Sequence, residues 1–249
     1  MTSAIRYEWR RISSVRATWI LVGIAIALST ALALLFSLAI GTAGEAADAN
    51  QVPGLDVSLA GSVSSSTTNL IVLILLGTVA AQAFGQEYRH GTIRLTLTEF
   101  PRRTSIFAAK VIICCLVILA SFLVSTVIAW AILRGNSAIV DEGFASFGAY
   151  FLRTCAYLVG FCLIVFAITV LTRILALGVV IPLVFAAVAE PLLATLVGKY
   201  ISWFPNVLPF ASGSEFVAGT DMLRNGAVFG VWVVVLIAAG YVVFEKRDA

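Results

Sequence analysis

Long runs of apolar residues dominate this chain, and short polar or charged segments separate them. A helix needs about 20 residues to cross a hydrocarbon core about 30 Å thick. Six runs reach this length, alone or together with flanking small polar residues. The pattern therefore predicts six transmembrane helices, over residues 18–40, 62–84, 106–133, 150–171, 174–197 and 227–244.

Several of these runs carry features that bear on their boundaries. The first is too long for the apolar core of a signal peptide, which spans about 7–15 residues. The second is continuously apolar only over 70–84, so it must include the Ser/Thr-rich stretch 62–68 to cross a membrane. Lys110 lies near the start of the third run and is expected to extend its amine to the interface. Pro182 and Pro191 are potential kinks in the fifth.

The composition excludes a soluble globular domain. Hydrophobic residues make up 61% of the chain and charged residues only 12%, whereas soluble domains carry about 25% charged residues. The expected fold is an all-α polytopic membrane protein with one transmembrane domain over 18–249. The four cysteines all fall inside apolar runs, so we expect them to be buried apolar residues, and a single histidine makes no metal site.

The positions of the basic residues set the orientation. With a cytoplasmic N-terminus, the inner segments hold twelve of the sixteen Lys and Arg residues. The outer side keeps Arg134, Arg153, Lys199 and Arg224. Both termini are therefore expected in the cytoplasm, which requires an even number of spans.

Residues 1–17 are expected to form a cytoplasmic amphipathic helix that lies in the membrane interface. Ile5, Trp9 and Ile12 would share one face, with arginines towards the other side. The alternative is a basic flank that only sets the topology.

The segment 85–104, between the second and third spans, mixes charge with regularly spaced apolar residues. Ile93 and Leu97 have the i, i+4 spacing of a short helix lying on a surface. Pro101 suits the first turn of a new helix, where its missing N–H has no intrahelical partner anyway. These features leave two alternatives, an ordered docking element and a solvated positive-inside loop.

The run GQEYRHGTIRLTLTEFPRRTSIFAAK, over 85–110, resembles the corresponding loop of bacterial ATP-binding-cassette permeases of the type-2 exporter class. The family pattern is roughly E-x-R-x-G-T-I/L-R, then P-x-R, then A-K. The N-terminal EWRRISSVRATW and the outer LPFASG are similar to the corresponding family segments. Six spans with both termini inside also match the family's topology.

This resemblance implies that 85–104 is a coupling loop that docks a separate ATPase subunit. The coupling residues it implies are Glu87, Arg89, Gly91, Thr92, Arg94, Glu99, Pro101 and Arg103. ATP and Mg²⁺ are then expected on the partner, with no cofactor on this chain. A phosphate-binding loop needs G-x-x-x-x-G-K-[ST], and the only Gly-Lys pair here, Gly198-Lys199, is followed by Tyr200. A second permease chain, identical or paralogous, and a location in the bacterial plasma membrane are also implied.

A few polar residues within the spans are candidates for the transport pathway or its gate. They are Asn69, Thr78 and Gln82 in the second span and Glu190 in the fifth. Polar side chains also hold transmembrane helices together, and Glu190-Pro191 could simply bound a helix break. The outer segment 198–226 either re-enters the membrane, as in the family it resembles, or forms an aromatic belt.

The leading functional hypothesis is the permease subunit of an ATP-driven exporter, itself not an enzyme. The apolar spans favour a hydrophobic or amphiphilic cargo such as a drug, antibiotic, peptide or lipid. One alternative is a non-transporting scaffold or sensor that docks a soluble regulator through 85–104. Another is an ion-coupled carrier, which requires acidic residues in mid-membrane, where the spans offer only Glu190.

Overall fold

The architecture comes from a computed structural model, which describes residues 2–49, 57–93, 98, 103–136, 139–140, 143–201 and 203–246. We number the described helices and strands in chain order. They are α1 (Thr2–Ser14), α2 (Arg16–Ala49), β1 (Val57–Ser58), α3 (Leu59–Thr67), α4 (Leu70–His90), α5 (Arg103–Leu133), β2 (Ile139–Val140), α6 (Phe144–Thr172), α7 (Leu175–Val184), α8 (Glu190–Gly198), α9 (Pro209–Ala218) and α10 (Met222–Lys246). A π-helical turn, Phe185–Ala189, joins α7 to α8, and a 3₁₀ turn, Phe204–Val207, precedes α9.

Among the described residues, six helical segments are long and apolar enough to cross a membrane, so the predicted all-α polytopic fold is confirmed. Each contains or overlaps one predicted span. Their bounds are Arg16–Ala43, Leu70–His90, Arg103–Leu133, Phe144–Thr172, Leu175–Gly198 and Met222–Lys246.

The second span differs from its prediction, because the helix expected over 62–84 is broken. The Ser/Thr-rich stretch forms the separate helix α3, and α4 begins only at Leu70. The side chain of Asn69 accepts a hydrogen bond from the Ile71 N–H at 3.1 Å, as an N-cap residue does. α4 then continues six residues past the predicted end at 84, to His90.

The fifth span is interrupted between its two prolines. α7 contains Pro182, and the π-helical turn Phe185–Ala189 follows directly. A proline removes one backbone hydrogen bond and disturbs the preceding turn. A π-helical turn is one way in which a helix absorbs such a local mismatch. The kink expected near Pro182 therefore takes the form of a widened turn that ends at Glu190.

α6 lies at the centre of the bundle, where it packs against α3, α4, α7, α9 and α10. Many of its side chains are fully buried, Phe161 and Phe166 among them. Near the inner end, the rings of Phe84, Phe107, Phe166 and Phe244 meet with centroids 5.1–6.0 Å apart. Such edge and tilted aromatic contacts add stability beyond the area that they bury.

Two glycines allow helices to approach α6 closely. A Cβ added at Gly178 of α7 would lie 2.9 Å from the Cα of Thr169 in α6. A Cβ added at Gly160 of α6 would lie 2.7 Å from Cζ of Phe229 in α10. Small residues at such contacts are the usual basis of tight helix packing in membranes.

The segment after α8 turns back into the bundle. The ring of Phe210, in the first turn of α9, lies 5.4 Å from that of Phe161. Phe161 is 17 residues, or about 25 Å, along α6 from its outer end at Phe144. The indole N–H of Trp232 in α10 donates to the Val207 carbonyl at 2.9 Å. α9 therefore begins well below the outer ends of α6 and α10, which is the arrangement of a re-entrant segment.

Gly178→Ala should lower the thermal stability of the purified protein, because the new methyl meets Thr169, whose Cα cannot move aside. Overpacking of this kind costs about 1–3 kcal/mol. Gly23→Ala is the matched control, since a Cβ at Gly23 meets no atom within 4 Å. The control should gain up to about 1 kcal/mol from better helix propensity. Thermal unfolding in detergent checks both, and equal melting temperatures for the two variants would contradict the close contact.

Candidate functional site

The inner end of α4 leads directly into the charged segment singled out by the sequence. α4 is capped by Gly91, which has a φ of 66° in the left-handed region. The Thr92 N–H donates to the Glu87 carbonyl at 3.1 Å, and that of Gly91 donates to Tyr88 at 3.4 Å. These bonds close the helix end. Gly91 thus makes a tight turn, and the loop starts there and not at Gly85.

A group of four charged side chains, three buried and Arg11 half-buried, lies beside this helix end, and we call it the charge cluster: Glu8, Arg11, Glu87 and Lys110. The amine of Lys110 donates to Oε1 of Glu8 at 2.8 Å and to Oε1 of Glu87 at 2.7 Å. Arg11 pairs with Glu87 and lies 3.1 Å from Oε2 of Glu8. The cluster therefore ties α1, α4 and α5 together.

Lys110 is fully buried, so the prediction that its amine extends to the interface is wrong. Two carboxylates and the Ala83 carbonyl, at 3.1 Å, surround the amine. The Phe84 ring lies 4.9 Å away and adds a cation–π contact. Because these partners lie so near, they satisfy the hydrogen-bonding capacity of the amine inside the protein. The amine therefore needs no contact with water.

The charge cluster carries no net charge, because two carboxylates face an ammonium and a guanidinium. Removing four such charges from water is costly, and only mutual pairing with further hydrogen bonds offsets the cost. Removing one partner would leave a buried charge uncompensated. The cluster therefore acts as a strict geometric constraint on the three helices that supply it.

The turn between α6 and α7 supports α4 from the opposite side. A Cβ added at Gly85 would lie 3.1 Å from the Cα of Leu175, so α4 and α7 are in close contact there. The Arg173 guanidinium lies 5.4 Å from the centroid of the Tyr88 ring, within cation–π range. The last turns of α4 are thus held between α1 and α5 on one side and this turn on the other.

Arg103 begins α5 and contacts the end of the last helix. Its Nη1 donates to the carbonyls of Phe244 at 3.2 Å and Glu245 at 2.9 Å. A cation at a helix C-terminus satisfies open carbonyls and opposes the helix dipole. Both ends of the charged segment, at Glu87 and Arg103, are thus attached to the bundle.

The predicted N-terminal helix forms, but only part of its predicted apolar face packs against the protein. Ile12 is buried and Ile5 packs against Ala4, Ile106 and Ala109, as expected of an apolar face. Trp9 is 45% exposed, so it does not share that buried contact. Glu8 faces inwards instead, into the charge cluster.

The predicted coupling residues separate into a buried and an exposed set. Glu87 is buried, whereas Arg89, Gly91 and Thr92 are exposed beyond the charge cluster. Arg103 is half-buried. Arg94, Glu99 and Pro101 fall outside the described residues.

The polar residues of the second span make local contacts between and within helices. Gln82 accepts a hydrogen bond from the Thr18 hydroxyl at 3.1 Å, which links α4 to α2. The Thr78 hydroxyl donates to the Ile74 carbonyl of its own helix at 2.7 Å. Asn69 caps α4. The structure does not bring these three residues together, and their contacts are those of structural polar residues in membrane helices.

Glu190 holds the re-entrant helix α9. Its Oε1 accepts the Phe210 N–H at 2.7 Å, and its Oε2 accepts the Ala211 N–H at 2.8 Å. Both N–H groups belong to the first turn of α9, where a helix has open donors and a partial positive charge. The carboxylate is buried and follows the π-helical turn directly. Glu190 therefore fixes where α9 starts.

Sequence reasoning missed Glu8 and Arg11 as parts of the inner site. Glu8 contacts Lys110 across 102 positions of the chain, and Arg11 contacts Glu87 across 76. One signal was available. Glu8 is the only acidic residue among the first 44 positions, and it occurs on the face of an amphipathic helix next to Ile5 and Ile12.

A family model described as "ABC-2 family transporter protein" matches residues 4–189, from α1 to the end of the π-helical turn. A search of curated proteins finds no match.

Lys110→Met should destabilise the protein strongly, because Glu8 and Glu87 would lose their common partner. Breaking a buried ion pair costs about 3–5 kcal/mol. Lys110→Met combined with Glu87→Gln restores neutrality and should recover part of that loss. Lys246→Met, at an exposed position on the same side, is the control and should behave as wild type. Thermal unfolding of the four proteins checks this, and a double variant no more stable than Lys110→Met would contradict a coupled cluster.

Glu190→Ala should loosen the start of α9, because two N–H groups lose a charged acceptor. A hydrogen bond to a charged group contributes about 1.5–3 kcal/mol, so exchange of the Phe210 and Ala211 amides should accelerate by about tenfold or more. Hydrogen–deuterium exchange with mass spectrometry measures this change. Glu245→Ala, at an exposed carboxylate, should leave these amides unchanged. Unchanged exchange in Glu190→Ala would show that the carboxylate does not hold α9.

Proposed function

The chain belongs to the ABC-2 family of transporter proteins, as the match over residues 4–189 shows, and from this premise we propose that it is the permease subunit of an ATP-driven exporter. It is a multi-pass membrane component of an ABC transporter and not itself the ATPase. In the proposal, a separate soluble subunit binds and hydrolyses ATP with Mg²⁺. It docks on segment 85–104 from the cytoplasm, where both termini also lie.

The attachment of the docking segment to the bundle is the observation that carries this proposal. At its start, Glu87 binds Lys110 of α5 and Arg11 of α1. At its end, Arg103 binds the last carbonyls of α10. A segment held at both ends transmits a displacement to the helices that hold it, because packed helices shift as bodies. A loosely tethered loop would absorb the same displacement.

The exposed residues of the segment are the proposed contacts with the ATPase. Arg89 lies in the last exposed turn of α4, and Gly91 and Thr92 follow in the turn. Arg94, Glu99 and Pro101 belong to the same proposed docking surface by sequence. Glu87 has a different role in the proposal. It positions the segment from inside the protein.

The transport pathway is proposed to form between this chain and a second permease chain. Closure of two ATPase subunits would then rock the two bundles between inward-open and outward-open states. The predominantly apolar spans favour a hydrophobic or amphiphilic cargo. The bacterial plasma membrane is the proposed location, and export from the cytoplasm the proposed direction.

The charge cluster changes the comparison with an ion-coupled carrier, because the spans hold more acidic side chains in buried positions than the sequence indicated. Lys110 lies seven residues, or about 10 Å, from the start of α5, so the cluster is near the inner end and not at the midplane. Both its carboxylates are paired with cations. Glu190 binds backbone N–H groups. These contacts favour structural roles over ion transport.

Charge reversal at Arg89 together with Arg94 tests the docking surface. The tagged chain is purified from native membranes, and the test scores recovery of a soluble subunit that carries the nucleotide-binding sequence G-x-x-x-x-G-K-[ST]. The variant Arg89→Glu/Arg94→Glu should reduce that recovery and the associated ATPase activity at least about tenfold, equivalent to ~1.4 kcal/mol of binding.

Arg224→Glu is the matched control for this experiment. Arg224 is exposed in the first turn of α10, at the outer end of the bundle, where a cytoplasmic subunit cannot reach it. It should retain wild-type recovery and activity. If the wild-type chain is recovered without a nucleotide-binding subunit, the exporter proposal is overturned. A bound subunit whose hydrolysis does not drive export from vesicles would favour the scaffold alternative.

A further inference from the structure

An apolar groove of about 510 Å³ runs between the outer halves of α5 and α6. On α5, the residues Leu123, Val127, Trp130 and Arg134 line it. Their spacing of i, i+4, i+7 and i+11 places them along one face of the helix. The facing wall of α6 is aromatic and carries Phe144, Phe147 and Phe151.

The short helix α3 holds the two walls of the groove apart. Its Leu59 and Val63 pack with Ala129 and Leu133 of α5. Its Ser64 hydroxyl is hydrogen-bonded to that of Thr154 in α6 at 2.9 Å. α3 therefore lies between the outer parts of α5 and α6 and keeps the two walls of the groove apart.

The open side of the groove faces away from the bundle. Leu123 is 54% exposed, Val127 58% and Phe144 91%. Exposed apolar side chains at this depth suit contact with the hydrocarbon of the bilayer. At its inner end the groove is closed by the rings of Phe122 and Phe151, which stack with centroids 5.3 Å apart.

The length of the groove matches one leaflet of a bilayer. From Leu123 to Arg134 is 11 residues, or about 16 Å of helix. Half of a hydrocarbon core is about 15 Å. An acyl chain that starts at the outer interface would therefore end where the stacked phenylalanines close the groove.

The cationic side chain of Arg134 lies at the end of the groove that is nearest the outer membrane interface. The Arg134 guanidinium lies 4.8 Å from the centroid of the Trp130 ring, so the groove wall itself orients it. A guanidinium carries five donors in a planar fork that suits a phosphate, so it can bind one while keeping contacts within the protein. Arg134 is also one of only four basic residues expected on the outer side.

We propose that this groove is a binding site for a single anionic glycerophospholipid of the outer leaflet. One acyl chain lies between the aromatic wall of α6 and the aliphatic face of α5, and the phosphate binds Arg134. The combination of a leaflet-long apolar groove with one oriented cation at its interfacial end favours this ligand over a partner helix. This inference is independent of the exporter proposal, since it requires neither an ATPase nor transport.

Trp130 provides a fluorescent probe inside the site. The full-length protein is placed in phosphatidylcholine nanodiscs that contain phosphatidylglycerol brominated near the glycerol end of its chains. Bromine quenches tryptophan only on contact, and the same titration in Trp130→Phe is subtracted to remove the other tryptophans. Half-quenching should need about fivefold less brominated phosphatidylglycerol than brominated phosphatidylcholine, which corresponds to ~1 kcal/mol for one basic residue near an anionic lipid.

Two variants separate the headgroup contact from the chain contact. Arg134→Gln should remove the fivefold preference while quenching by both lipids persists. Gly148→Leu should reduce Trp130 quenching by both lipids, because Gly148 lines the groove and a Cβ there meets no atom within 4 Å. Gly23→Leu, at an equally open glycine on α2, is the control and should behave as wild type.

Equal quenching by the two lipids in the wild type would overturn the proposal, as would an unchanged preference in Arg134→Gln. Wild-type quenching in Gly148→Leu would also overturn it, because the chain would then not occupy the groove. An absence of Trp130 quenching by either lipid would show that something other than lipid covers this surface.

Discussion

The buried amine of Lys110 is the constraint on which the inner half of the structure depends. An ammonium group inside a membrane protein is tolerated only with partners that offset its desolvation. Glu8 and Glu87 supply them, and Arg11 balances the second carboxylate. The N-terminal helix therefore cannot lie freely on the membrane surface, and the end of α4 cannot move without α1 and α5.

In the outer half, too, a buried charged group is satisfied by hydrogen bonds within the protein. There the Glu190 carboxylate binds N–H groups at the start of α9, so that a helix too short to span the membrane is held inside the bundle. Between the two ends, contacts such as Gly160 against Phe229 set close helix distances. A bundle with close helix contacts that is attached at both ends suits the proposed transmission of movement from a docked ATPase subunit.

Much of the architecture follows from apolar run length, because the bilayer imposes one dimension on every span. The break at Asn69 was not predicted, although an Asn before an apolar run is an N-cap signal. Ser and Thr in α3 satisfy their hydroxyls on nearby carbonyls, as Thr67 does on Val63, so a polar stretch can be helical and buried. The left-handed turn at Gly91 was predictable, since glycine adopts a positive φ without strain.

The amino-acid sequence by itself determined the class of this protein, its six membrane-spanning segments, the charged segment after α4 and the family that this segment resembles, because these depend on local composition and spacing. Only the tertiary structure decided which charges meet, where α9 begins and how α3 separates α5 from α6. Those features join residues far apart in the chain, as in the pair Glu8–Lys110. Pairing of that kind depends on how the helices pack, and no local pattern encodes it.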